Sequence, residues 1–223
     1  MRAARMGRDQ VRPDKPRLRG VSHQWAAICA VPLGAALVVS AGGSRARVAV
    51  AVYAISLVAL FALSAVYHRV NWRSLVARDW MRRLDHSMIF VLIAATYTPV
   101  AVVALRGPAG LTILIAAWAG ALSGVVLKLV WISAPRWLVV AAYVALGWIA
   151  LVAIPQLVAA IGAVGLALLA LGGLLYTAGA VVYALMRPDP APAVFGYHEV
   201  FHAMVIVAAL LQYAVIAFWV VPR

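Results

Sequence analysis

The chain has 223 residues, of which 66% are apolar and 11% charged, and its mean hydropathy is +1.00. A soluble domain is roughly 45–50% apolar and about 25% charged, so the composition excludes a soluble globular domain and indicates an integral membrane protein. Lys and Arg outnumber Asp and Glu by 19 to 6, a formal net charge of +13, and the single cysteine, Cys29, excludes a disulfide scaffold.

Long apolar runs with few or no charges predict the helices that cross the bilayer, whose hydrocarbon core of about 30 Å needs roughly 20 helical residues. No charged residue occurs between Arg136 and Arg187. A single helix of that length would overshoot the bilayer, so the run must fold back, and Pro155 and Gln156 mark the expected turn. The predicted spans are residues 25–43, 48–67, 87–105, 109–127, 137–154, 159–186 and 197–221. The fold class predicted is an all-α, seven-transmembrane helix bundle.

Basic residues predict how the bundle is oriented. Residues 1–20 form a basic tail, expected to be disordered, and residues 21–223 form the transmembrane domain. On the N-terminal side lie seven Lys and Arg in the tail, five after the second span, two after the fourth and one after the sixth, which is 15 of the 19. The positive-inside rule then places the N-terminus in the cytoplasm and the C-terminus outside the cell membrane. The tail is expected to meet anionic lipid, and no nucleic-acid partner is predicted.

The remaining polar residues fall at three places, all at the cytoplasmic ends of spans. They are Ser64 and His68 at the end of the second span, Asp85 and His86 at the start of the third, and His198, Glu199 and His202 at the start of the seventh. Ionisable groups at membrane depth are costly and usually functional. Because the charge count placed these ends in one leaflet without reference to any histidine, we expect the residues to converge.

Three of these histidines have the pattern of a metal site. His198 and His202 are four residues apart and share a helix face, and His68 can supply a third nitrogen. Three imidazoles leave one position of Zn²⁺ open for water, as in catalytic zinc sites. Asp85 is a candidate general base for that water, or a residue that orients one of the ligands. Ser64, one turn before His68, is a candidate hydrogen-bond donor to the substrate or to a metal-bound oxygen.

Other interpretations of single residues stay open. Asp85 can instead be a helix N-terminal charge or a partner of Arg82 or Arg83. His86 can either support the metal ligands from behind or simply begin the helix. His23, in the basic tail, is interpreted as a snorkelling or hydrogen-bonded residue and not as a ligand. Residues 198–202 also satisfy H-E-x-x-H, the zinc-protease pattern in which Glu199 would be the base.

Taken together, four segments resemble the hemolysin III family, the bacterial branch of the progestin and adipoQ receptor superfamily. The segments are S-A-V-Y-H at 64–68, L-D-H-S-M-I-F at 84–90, A-T-Y-T-P at 95–99 and H-E-V-F-H at 198–202. They match the family motifs S-x-x-x-H, D-H-x-x-I with T-Y-T-P, and H-x-x-x-H, in order. The resemblance covers the chain from about residue 21 to the C-terminus.

The resemblance implies Zn²⁺ near the cytoplasmic leaflet, held by His68, His198 and His202, with Asp85 contacting the zinc-bound water and Ser64 nearby. The superfamily is also similar to the alkaline ceramidases, zinc-dependent amide hydrolases that act on lipids. The function expected is therefore zinc-dependent hydrolysis of lipid amide or ester bonds, or regulation of membrane lipid homeostasis, with membrane lipids as partners and a lipid-like substrate. The alternatives are a non-enzymatic membrane sensor with structural zinc and a cytolytic membrane protein.

Overall fold

A computed structural model describes residues 15–105 and 107–222, and within these residues the protein consists of α-helices without any strand. The basic tail residues Arg2, Arg5, Arg8 and Arg12, and also Arg106 and Arg223, lie outside the described residues. The helices are α1 (Val21–Ser40), α2 (Gly43–Arg69), α3 (Leu75–Pro99), α4 (Pro108–Val130), α5 (Arg136–Gly147), α6 (Ile154–Leu185) and α7 (Tyr197–Val215). The all-helical prediction is confirmed.

Short irregular turns extend some of these helices. π-Helical turns, Val100–Ala104 and Ile216–Val220, continue α3 and α7, and the 3₁₀ turn Ile149–Ala153 joins α5 to α6. Continuous helical hydrogen bonding suits an apolar chain, because no water in a bilayer can satisfy free backbone groups. With their turns, α3 and α7 become continuous helical stretches, Leu75–Ala104 and Tyr197–Val220.

Six helical stretches of the described residues are long and apolar enough to cross a membrane, whereas the sequence predicted seven spans. The difference lies in Arg136–Leu185, a stretch of 50 residues that holds the fifth and sixth predicted spans. The prediction of a membrane protein is therefore supported, and the count of seven is not confirmed by these lengths.

The turn within this stretch lies later than predicted. Pro155 sits in the first turn of α6, where its missing N–H costs nothing. The backbone instead departs from the helix at Gly162, with φ 70° and ψ 174°, a conformation that is essentially restricted to glycine. Beyond it the chain lies beside α5 again: Trp148 Nε1 donates to Thr177 Oγ1 at 3.0 Å, and the Arg136 guanidinium lies 5.8 Å from the Tyr183 ring centroid. The expected turn at Pro155 and Gln156 is wrong.

The buried core has two parts that α3 and α7 connect. One part packs α1 and α2 against α7, and the other packs the later part of α3 against α4, α5, α6 and the end of α7. The end of α2, the early part of α3 and the start of α7 meet at one end of the bundle. Helix α3 begins at Leu75, well before the apolar run predicted from residue 87, so Asp85 lies inside a helix and not in its first turn. The interpretation of Asp85 as a helix N-terminal charge is therefore wrong.

Candidate metal centre

Three imidazoles meet where α2 and α7 come together. His68, His198 and His202 each offer a ring nitrogen, and these atoms all lie within 4.8 Å of one another. The Nε2 atoms of His68 and His198 are 3.2 Å apart. All three side chains are buried, with His202 only 1% exposed. The predicted trio therefore converges into a group that can hold a metal ion.

The donor set fits such an ion. Imidazole nitrogens suit zinc and neighbouring transition metals, and three of them leave a coordination position open. The Nδ1 atom of His202 is buried and has no hydrogen-bond partner among the described residues. A buried polar atom without a partner is costly. A cation bound between the three imidazoles would give these nitrogens a partner and would explain why they cluster in an apolar bundle.

Asp85 reaches the trio from α3. Its Oδ2 atom lies 3.8 Å from His68 Nε2 and 3.8 Å from His86 Nδ1, and its side chain is 13% exposed. The alternative partners do not hold it: Arg83 donates from Nε to the Leu129 carbonyl at 3.1 Å, and neither Arg82 nor Arg83 forms an ion pair with Asp85 in the described part of the chain. The carboxylate thus faces the imidazoles.

Ser64 lies one turn from His68 and is hydrogen-bonded to His23. His23 Nδ1 lies 2.8 Å from Ser64 Oγ, and the His23 ring stacks on His202 with centroids 3.7 Å apart and an interplanar angle of 11°. His23 is hydrogen-bonded and is not part of the group that can hold a metal, in line with its interpretation as a non-ligand, but at 3% exposure it is buried beside the trio. The signal was available, because His23 lies just before the first predicted span, at the end where the charge count predicts the other polar residues.

His86 serves the scaffold beside the trio. Its Nδ1 lies 2.7 Å from the Arg82 carbonyl and must carry a proton to donate there, which leaves Nε2 to accept from the Tyr183 hydroxyl at 3.3 Å. Tyr143 in turn donates to the His86 carbonyl at 2.9 Å. His86 therefore ties α3 to α5 and α6, and because α3 begins at Leu75 it is not a helix-start residue.

Glu199 is occupied by contacts of its own. Arg19 Nε lies 2.6 Å from Oε1, and the Gly196 N–H donates to Oε2 at 2.9 Å, with Glu199 1% exposed. Both carboxylate oxygens are thus engaged at the start of α7. A carboxylate held in this way is poorly placed to serve as the base of an H-E-x-x-H protease, which weakens that interpretation.

A cavity of about 270 Å³ begins at this cluster and continues into the bundle. Its polar end is lined by His23, Ser64, Asp85, His86, His198 and His202. The remainder of the wall is mainly apolar and extends along α3 as far as Val100 and Leu105. At 1.5 Å per residue, the helical distance from Asp85 to Val100 is roughly 20 Å. The arrangement can place the polar end of an elongated amphiphile beside the imidazoles and its apolar part in the bundle.

Comparison with known proteins gives a consistent result. The profile of the family described as "Haemolysin-III related" matches residues 11–213. "Hemolysin-3" of Bacillus cereus is 31% identical over 205 residues, which cover 91% of this chain and 90% of the relative. "Hemolysin-3 homolog" of Bacillus subtilis (strain 168) is 28% identical over 204 residues, covering 90% and 92%. The profile match begins at residue 11, so it includes the second half of the basic tail.

Proposed function

Because the chain belongs to the Haemolysin-III related family of membrane proteins, we propose that it is a membrane-embedded, zinc-dependent hydrolase of amide or ester bonds in lipids. The observation that carries the proposal is the cavity, whose wall joins His198 and His202 of the trio and the Asp85 carboxylate to a long apolar surface. A structural metal site that links two helices, or a metal-stabilised sensor, needs the histidines alone. An acyl-bond hydrolase needs all of these features in one continuous space.

The proposed ion is Zn²⁺, held by His68, His198 and His202. When bound, it would supply Lewis-acid polarisation of an acyl carbonyl and activation of water. The apolar wall binds the acyl chain and excludes bulk water, so that the carbonyl lies at the polar end. Positioning of this kind is itself a large part of catalysis.

Asp85 and Ser64 are the proposed catalytic residues. Asp85 takes the proton of the attacking water as general base and returns it to the leaving amine or alcohol as general acid. Ser64 donates a hydrogen bond to the polar end of the substrate, and the neighbouring His23 nitrogen at 2.8 Å holds its hydroxyl. Neither residue is required for a purely structural metal site.

For the topology we propose seven crossings, with residues 136–161 and 163–185 as two antiparallel limbs joined at Gly162. The contacts of Trp148 with Thr177 and of Arg136 with Tyr183 support this arrangement. The N-terminus then lies in the cytoplasm, the C-terminus outside, and the zinc site near the cytoplasmic leaflet of the cell membrane. The basic tail would contact anionic lipid headgroups.

A metal-stabilised sensor is the second candidate, and the position of the trio favours it. The trio joins α2 to α7, so an ion there would fasten an early helix to the last one. If His198→Ala lowers the melting temperature while Asp85→Asn changes nothing measurable, the structural role is correct. A cytolytic role has support only from the name of the Bacillus relatives, and leakage of liposomes on adding the protein would test it.

The decisive experiment measures turnover of a ceramide-like amide lipid and a matched ester by the purified chain, as isolated, after chelation and after Zn²⁺ is restored. We expect loss on chelation and recovery with Zn²⁺. Asp85→Asn should lower turnover by about 10²–10⁴-fold with metal content unchanged. The matched control is Asp79→Asn, an exposed carboxylate on the same helix, which should retain activity. Zinc-independent turnover, or none across a broad lipid panel, contradicts the proposal.

A further inference from the structure

The residues just before α1 lie across the end of the bundle that holds the metal centre. We call residues 15–20 the N-terminal strap. Its backbone pairs with the segment that precedes α7: the Arg17 N–H donates to the Ala193 carbonyl at 3.0 Å, and the Leu18 N–H donates to the Val194 carbonyl at 3.1 Å. The strap is thus fastened to the chain that leads into His198 and His202.

The strap also contacts the end of α2, where His68 lies. Lys15 Nζ lies 3.4 Å from the His68 carbonyl and 3.4 Å from the Val70 carbonyl. Gly20 has φ 77°, and a Cβ added there would lie 2.7 Å from His68 Cβ. Because such an approach is too close for a real side chain, the backbone of the strap packs directly on His68.

Arg19 forms the polar contact of the strap with α7. Its ion pair with Glu199, at 2.6 Å, joins the strap to a side chain that also accepts from the Gly196 N–H. Glu199 follows His198 in the sequence, so this pair fixes how the first turn of α7 is rotated. The pair is well buried, since the exposed side-chain fractions of Arg19 and Glu199 are 19% and 2%.

His23, in the first turn of α1, completes the contacts. Its ring stacks on His202, and its Nδ1 lies 2.8 Å from Ser64 Oγ. Within five residues the chain therefore touches His68 through Gly20, the helical turn of His198 through Arg19, and His202 through His23.

We propose that Arg19, Gly20 and His23 are positioning residues of the metal centre, holding the three imidazoles at the separation that metal binding requires. Three ligands on two helices bind an ion only if the helix ends keep their spacing and rotation, and outer contacts of this kind commonly change metal affinity by about 10–100-fold. This inference rests on the metal site of the proposed function. It gives Arg19, the last basic residue before α1, a role in addition to orienting the chain in the membrane.

The test is metal binding by the full chain in detergent, with Co²⁺ as a spectroscopic probe and Zn²⁺ measured by chelator competition. Arg19→Gln should weaken binding of both ions by about tenfold or more and alter the visible Co²⁺ spectrum. Arg19→Lys keeps the charge but not the guanidinium fork, so its affinity should fall between those of wild type and Arg19→Gln. The matched control is Arg73→Gln, an exposed arginine in the loop between α2 and α3, which should bind as wild type.

The partner side of the ion pair gives an independent measurement. Glu199→Gln should weaken binding as Arg19→Gln does, and the double variant should be little worse than either one, because the two residues act through one contact. A merely structural pair would lower the melting temperature of the metal-free protein and leave the affinity and Co²⁺ spectrum of the folded fraction unchanged. That result, or wild-type affinity in the Arg19 variants, overturns the inference. Failure of the wild-type chain to bind either ion overturns the metal site itself.

Discussion

The two ends of the cavity are constructed in opposite ways. At the end beside the start of α7, the wall is formed by polar side chains that contact residues far away in the sequence, such as His23 with Ser64, and the Arg19–Glu199 ion pair lies next to this end. At the far end, beside Leu105 and Ile113, the wall is apolar. The function of the polar end depends on individual nitrogen and oxygen atoms, whereas the function of the apolar end depends on the shape and volume of the space. Substitutions should therefore have different kinds of effect at the two ends.

The largest effect is expected from removing one imidazole at the polar end. His202→Ala deletes a fully buried ligand candidate from a group of three, and two ligands hold Zn²⁺ far more weakly than three. We expect the zinc content of the purified protein to fall from about one ion per chain to nearly none, measured by elemental analysis.

The matched control for this loss is His86→Ala, since His86 lines the same cavity but bonds to Arg82 and Tyr183. Its zinc content should equal that of wild type. Equal zinc in the wild-type and His202→Ala proteins would refute the metal site, and equal loss in both variants would mean that the cavity wall as a whole, rather than the trio, retains the ion.

Much of the polar end was predictable because membrane burial leaves few polar residues to consider. His198 and His202 share a face by spacing alone, and the charge count placed His68 in the same leaflet. His23 escaped prediction because its partner Ser64 is 41 residues away and nothing local marks the pair. The engagement of Glu199 by Arg19 escaped for the same reason, so H-E-x-x-H remained open until the contacts were known.

The limits of the fold prediction have a different cause. Charge-free runs identify helices because the bilayer requires about 20 apolar residues, but they do not reveal where a helix extends past the apolar region. Helix α3 therefore begins at Leu75 although its apolar run starts at residue 87. In the long apolar stretch Pro155 predicts a turn, yet a proline is compatible with the first turn of a helix, and the helix is interrupted at Gly162 instead.

The second prediction concerns the backbone break at Gly162, outside the polar end of the cavity. With φ 70° and ψ 174° it occupies a region essentially closed to other residues, so Gly162→Ala should destabilise the protein by about 1–3 kcal/mol. A thermal unfolding measurement in detergent should show a lower melting temperature, with zinc content unchanged. Gly147→Ala is the control, because an added Cβ there meets nothing within 4 Å and its φ is not positive. Equal melting temperatures for both variants would show that the break at Gly162 is not required.

The smallest effect is expected from narrowing the apolar wall. Gly173 lines the cavity, and an added Cβ would lie at an ordinary van der Waals distance, 3.6 Å, from the Trp148 ring, so we expect Gly173→Leu to narrow the space. Turnover of a long-chain lipid relative to a short-chain one should fall by about tenfold, within the range that a few methylene groups control in apolar pockets. Leu171→Phe, which enlarges an exposed side chain on the same helix, should leave the ratio unchanged. If Gly173→Leu instead abolishes zinc binding, the two ends are coupled, and shape at the far end would contribute to the chemistry at the near one.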